Sequence, residues 1–246
     1  MENSSYIALS LLSAVRREMD IVANNVANAN TPGFRGEGML FVEHLAELGA
    51  SLAAEEEISF VEPTTMYRSP APGPLTNTAS PLDLAIQGEA YFVVQTPDGP
   101  RYTRNGHFRL DAGGQLVTQS GRAVLSAGNA PIQFAPEDSN IVVAGDGTVS
   151  TENGEVGRLN LVRFADPQAL RKLGDGLYDA AGMAPEAATD AEIVQGMIEG
   201  SNVQPVIEIT RMIELNRVYQ LTQKLIEKED RLQQEMIDTL AATTAA

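Results

Sequence analysis

The chain has 246 residues, enough for one or two domains with packed cores, and its 43% hydrophobic content argues for a globular protein and against a disordered one. With 33 acidic and 17 basic residues the net charge is −16, which argues against nucleic acid or anionic lipid as a partner. The chain contains no Cys, so disulfides, thiolate metal sites and Cys nucleophiles are excluded, and no stretch approaches the ~20 apolar residues of a membrane span.

Residues 4–29 read as one long helix. Leu12, Val15, Met19, Val22 and Val26 step by three and four, the heptad spacing of a coiled-coil seam. Ile7 and Leu11 widen that apolar face, and Pro32 and Gly33 stop the helix. Residues 36–81 carry Gly36, Gly38, the Glu55-Glu56-Glu57 run and a Pro-rich stretch from Pro70 to Pro74, and read as an extended connector.

From residue 82 the signals change. Asp98-Gly99, Asn105-Gly106, Ser120-Gly121, Asp146-Gly147 and Asn153-Gly154 mark turns. Between such turns lie the β-rich runs Tyr91–Thr96, His107–Leu110, Gln115–Thr118, Ala123–Leu125, Ile141–Ala144 and Leu159–Phe164. This predicts a hairpin-rich β domain over 82–199. Residues 180–199, Ala-rich and acidic, are open between loop and short helix.

Residues 200–240 return to helical spacing. Val218, Leu221, Leu225, Leu232, Met236 and Leu240 form one stripe, interrupted by Lys228, and Met212, Tyr219 and Ile226 form a second. A helix with two apolar stripes must bury them or fray. The economical reading packs the two ends against each other and against further subunits. Residues 1–35 sum to zero and 200–246 to −2, so −14 lies between them, which fits ends meant to meet other copies and equally fits plain mixed-charge helices.

The segment Ala23-Asn24-Asn25-Val26-Ala27-Asn28-Ala29-Asn30-Thr31-Pro32-Gly33-Phe34-Arg35 resembles the signature of flagellar rod and hook proteins. Asn is a poor helix former, so four of them in seven residues is unusual within a helix. Its amides can bond backbone where helices end, while Gly33 permits a turn and Phe34 anchors the exit. Leu82–Val94, Arg101–Phe108 and Gly114–Val117 are similar to the start of the family's central β domain. Gly200-Ser201-Asn202-Val203, with Glu208, Met212, Ile213, Arg217 and Tyr219, resembles its C-terminal assembly helix. The opening Met1-Glu2-Asn3, Tyr6-Ile7 and Leu9-Ser10 looks most like a proximal-rod member, with a distal-rod member as the alternative. Ala90 departs from the pattern, which usually has Gly there, and so places the bend before Tyr91 in question.

The resemblance implies an α+β fold: a coiled-coil assembly domain of long terminal helices (1–35 and 200–246), a connector (36–81) and a central, mostly β domain (82–199). It implies a structural subunit that polymerises through its ends, with ends largely disordered in the free monomer and a β domain that survives their removal. The assembly interface it implies comprises Leu12, Val15, Met19, Val22, Asn24, Asn25, Val26, Asn28, Gly33, Phe34, Ser201, Asn202, Val203, Met212, Arg217, Tyr219, Leu221 and Leu225. Implied partners are proximal and distal rod proteins, further copies and the flagellar type III export apparatus. The implied location is the periplasmic rod, and the N-terminus lacks the features of a Sec signal.

Chemistry has little to stand on. His44 and His107 are the only histidines, too few for an ordinary zinc site. No Gly-x-Ser-x-Gly, Walker or dinucleotide fingerprint occurs. Glu137-Asp138 and Glu229-Asp230 read as solvated acids before glycosidase carboxylates, and Asn3-Ser4-Ser5 is a chance-level glycosylation pattern. No cofactor, catalytic residue or metal is expected. A secreted coiled-coil binding protein, such as an adhesin, is the alternative of another class.

Overall fold

A computed structural model describes the backbone of residues 2–47 and 57–244, and side chains for 6–40 and 66–238. Glu55, Glu56 and the side chains of His44, Leu240 and Asn3-Ser4-Ser5 lie outside the described residues. The chain divides into two compact units: 1–27, 37–69 and 204–246 form one, and 28–36 with 70–203 the other.

The first unit holds helix α1 (Glu2–Ala27), strands β1 (Glu37–Glu47) and β2 (Glu57–Arg68), and, at the other end of the chain, helix α2 (Pro205–Thr244). α2 opens with Pro205, whose fixed φ and missing N–H suit a first helical position, and Glu208 complements the positive end of the helix dipole. Its 40 residues span ~60 Å. The expected connector over 36–81 is divided: 37–69 makes a long antiparallel hairpin, while 70–81 belongs to the second unit. The hairpin's register slips between Leu40 and Phe41, opposite Pro63, which cannot donate to a ladder.

The α+β class stands, but the terminal helices do not form a coiled coil. α1 packs against both α2 and the hairpin, and buries Ala8, Ala14, Val15, Glu18, Ile21, Val22 and Asn25, an arc wider than a two-position seam. On α2 the stripe Val218, Leu221, Leu225, Leu232 and Met236 is exposed. The half-buried face instead runs through Met212, Leu215, Tyr219 and Ile226, with Thr222 buried among them. A 3.5-residue period reports an apolar face without naming what covers it. Here a β-hairpin covers part of α1, and among the described residues one stripe of α2 stays exposed.

The second unit contains β3 (Leu75–Asn77), β4 (Leu84–Gln87), β5 (Tyr91–Thr96), β6 (Gly99–Thr103), β7 (Phe108–Leu110), β8 (Leu116–Thr118), β9 (Val142–Val143), β10 (Thr148–Thr151), β11 (Gly154–Arg158) and β12 (Leu161–Arg163). β13 (Arg171–Lys172), β14 (Leu177–Asp179), β15 (Glu186–Ala187), β16 (Glu192–Gln195) and β17 (Met197–Glu199) complete it. Six of them form one antiparallel sheet in the order β13-β14-β6-β5-β12-β15. Residues 180–199 are thus strands and loops, with no helix.

β5 lies inside the sheet and is buried on both faces. Phe92 and Val94 enter a large core with Leu84, Phe108, Val124 and Leu159; Tyr91 and Val93 enter a smaller one with Tyr102, Phe164 and Tyr178. Edge-to-face ring pairs hold both, at 5.1 Å for Phe92–Phe108 and 4.8 Å for Tyr102–Phe164. The left-handed bend before β5 falls on Gly88 (φ +105°) and not on Ala90, which is fully buried. Ala is therefore tolerated at position 90.

Candidate assembly site

In the first unit, Val15 and Val22 are buried, while Leu12, Met19 and Val26 are half-buried. Asn25 is 3% exposed, and its amide acts as a two-way clip for backbone: Nδ2 donates to Glu37 O (2.8 Å) and Oδ1 accepts from Glu37 N (2.9 Å). The same Nδ2 reaches Glu208 of α2 at 3.2 Å. Seven residues, about two turns, earlier on α1 the polarity is reversed, with Glu18 accepting from Arg211 Nε at 2.9 Å. Asn25 opposite Glu208 and Glu18 opposite Arg211 make α1 and α2 antiparallel. Asn24 and Arg217 are exposed, Met212 and Tyr219 are half-buried, and Leu221 and Leu225 are 66% and 53% exposed. With Val218, Leu232 and Met236 the last two form an exposed apolar stripe on α2, interrupted by Lys228.

The remaining predicted residues lie in the second unit, and the structure brings them together. Segment 28–36 crosses the β unit as a strap. Asn28 O accepts from Thr31 N (3.0 Å), which closes a turn, and Gly33 follows at φ +68°. A Cβ on Gly33 would stand 2.6 Å from the Arg104 carbonyl carbon, so the site demands glycine on two counts. Gly33 N donates to Glu199 O (2.8 Å), and buried Phe34 lies under Lys172, whose Nζ is 3.9 Å from the ring centroid. Asn202 fastens the strap to segment 70–74: Oδ1 accepts from Gly36 N (2.7 Å) and Nδ2 donates to Ala71 O (2.7 Å). Ser201, buried, accepts from Val203 N at 3.2 Å.

Beneath the strap sits an ion cluster that the sequence reading missed. Arg104 and Glu199 are each 3% exposed. Glu199 Oε2 accepts from Arg104 Nε (2.8 Å), while Oε1 accepts from Gly73 N (3.1 Å) and Arg35 Nη2 (3.3 Å). Arg104 also donates to the carbonyls of Ile86, Gly88 and Ala90, so all three of its nitrogens have acceptors. Arg35 donates to Pro70 O, and its own pKa is lowered, first by burial and then by the Arg104 charge. Arg35 and Arg104 lie inside the quoted motifs, but nothing local links them to Glu199, 95 residues beyond Arg104. Only the tight positions of Gly33 and Gly73 hint at a crossing.

Other polar groups are built into turns. Asp138 accepts from Asn153 Nδ2 (2.8 Å), Ala135 N (2.7 Å) and Thr151 Oγ1 (3.1 Å), which lowers its pKa. His107 Nδ1 lies 2.5 Å from Oδ1 of buried Asp83. Among the described residues no group of three His, Asp or Glu could hold a metal, and no helix is long and apolar enough to cross a membrane.

The β unit is packed on its own cores, and α2 leaves an apolar stripe exposed. Residues 6–35 match the flagella basal body rod protein model, 85–151 the flagellar hook protein FlgE/F/G D1 domain, and 194–239 the flagellar basal body rod FlgEFG protein C-terminal model. The chain is 42% identical to the flagellar basal-body rod protein FlgF of Caulobacter vibrioides, with 98% of each chain covered. It is 37% identical to FlgF of Mesorhizobium japonicum (98% and 99% covered) and 30% identical to FlgG of Bacillus subtilis (97% and 99%). The chain belongs to the flagellar basal-body rod protein family and is most like its FlgF members.

Proposed function

We propose that this chain is a structural, non-catalytic subunit of the bacterial flagellar rod, of the FlgF kind, and that it joins its neighbours through α1 and α2. The observation that carries the reading is the face of α2 formed by Val218, Leu221, Leu225, Leu232 and Met236, exposed along a helix whose other stripe is already packed. Tyr6 and Leu9 of α1, 63% and 60% exposed, add to the surface available. Neighbouring copies and the proximal and distal rod proteins are its partners. It reaches the periplasmic rod through the flagellar type III export apparatus. The FlgG relatives, at lower identity, support the same family role without favouring a distal position.

The test is the double variant Leu221→Asp/Leu225→Asp. Both positions are solvent-facing in the monomer, so its stability should change by no more than ~0.5 kcal/mol per site. Incorporation into isolated basal bodies, and swimming in a strain lacking the wild-type gene, should be lost. Normal rods built from the variant would refute the assembly role of this face.

A further inference from the structure

The chain crosses between its two units four times, after residues 27, 36, 69 and 203. On the β-unit side, every crossing feeds segment 28–36, 70–74 or 199–203. These three segments are bonded to one another at one place. Gly36 N and Ala71 O meet on the Asn202 amide, Arg35 holds Pro70 O, and Gly73 N and Gly33 N both reach Glu199, one to its side chain and one to its carbonyl. Asn202 N also donates to Phe34 O at 3.3 Å, and Gly200 N to Pro74 O at 2.8 Å. Close packing matches the bonding: a Cβ on Gly73 would fall 1.9 Å from Gly200 O.

We infer that this cluster is a mechanical joint within the β unit, the point at which load carried by the chain enters that unit, with Glu199 as the residue that holds it shut. Covalent backbone carries force with little stretch, so load arriving along any of the four crossings falls first on the bonds that tie the crossing segments down. Two of those segments, through Arg35 and Gly73 N, end on one buried carboxylate, which Arg104 holds on its other oxygen, so that a guanidinium sits on each. To open the joint, Glu199 must separate from Arg104 and Arg35 before water solvates any of them, which is a high barrier over a short displacement. Arg104 extends the grip inward through the carbonyls of Ile86, Gly88 and Ala90, the approach to central strand β5. Such a joint is stiff and yields all at once. The joint stands on these contacts alone; only the statement that neighbouring rod subunits supply the load rests on the function proposed above.

The absence of native Cys lets handles for optical tweezers be placed at will on the full chain. One pair, Lys224→Cys with Asp98→Cys, loads the crossings. A second pair, Asp98→Cys with Glu155→Cys, loads the β unit internally. All three positions are exposed. Glu199→Gln should hasten the first yielding event at fixed force by about a hundredfold with the first pair, and by no more than about twofold with the second. Asn202→Ala, at a half-buried site, should show the same split at about tenfold, and decides the matter if Glu199→Gln fails to fold. Equal acceleration in both geometries would make Glu199 an ordinary core residue and overturn the joint, as would no acceleration in the first. A chain that shows the split yet never enters rods keeps the joint and loses the rod reading.

Discussion

The β unit and the helical unit solve the burial problem in opposite ways. In the β unit, β5 is covered on both faces, its neighbours interlock through edge-on rings, and the buried charges are matched by counter-charges and backbone acceptors. In the helical unit, α1 is enclosed by α2 and a hairpin, but one stripe of α2 and the start of α1 stay open. The β unit buries its central strand within itself, whereas the described part of the helical unit leaves an apolar stripe exposed, the surface on which the proposed assembly rests.

The sharpest way to break this comparison is inside β5. Phe92 is fully buried and edge-on to Phe108, so Phe92→Ala should destabilise the β unit by ~3–5 kcal/mol, read by denaturant unfolding. Hydrogen exchange should show protection falling across β4–β8 while α1 and α2 keep theirs. A parallel loss in the helices would mean that the two units do not unfold independently. The strap comes next. Gly33→Ala must bear a positive φ and displace the Arg104 backbone, at a cost of ~2–4 kcal/mol. Its signature is faster exchange at the amides of Gly33, Gly36 and Asn202. A smaller effect is expected in the helical unit, where the Glu18–Arg211 pair is partly open because Arg211 is 42% exposed. Glu18→Gln should cost under ~1 kcal/mol, in contrast to the buried Glu199.

Much of this architecture was legible in the sequence where signals are local and periodic. Tyr91–Thr96 is a strand with the bounds its composition suggests, and the helices expected over 4–29 and 200–240 run over 2–27 and 205–244. Asn25, Gly33, Phe34 and Asn202 were marked by a family signature, and each has a specific contact or backbone demand. The failures share one cause. Periodicity shows that α1 has an apolar face, but not that a hairpin from residues 37–68 shares it, so a coiled coil was inferred where a mixed packing exists. The hairpin was hidden because its strands are acidic and flanked by glycines, with Tyr67 seated over Gly38. Glu199 was hidden because its partners are distant in sequence. A cut after residue 35 would remove Gly33, Phe34 and Arg35 from the unit that 28–36 forms with 70–203.

The smallest expected effect is pH dependence at the exposed rim of the β unit, around β9–β11. Asp138 is held below the ordinary carboxylate range by Asn153 first and then by the Ala135 amide; Asp146 by the Thr148 amide and hydroxyl; Glu152 by the Ser139 side chain. A carboxyl lowered in the fold adds stability above its unfolded value, near 3.8 for Asp and 4.5 for Glu, and loses it as pH falls through the lower folded value. The rim should therefore loosen below about pH 4.5, while the core of β5 and β6, held by apolar packing, does not follow until lower pH. Amide exchange at Ala135, Ser139 and Thr148 between pH 6 and pH 3 reads this directly. Asp138→Asn should abolish the acid step at Ala135 and leave that at Thr148 in place, because separate carboxyls hold the two amides. If both steps vanish together, the rim is one cooperative network, and the β unit's self-sufficiency reaches its solvent edge as well as its core.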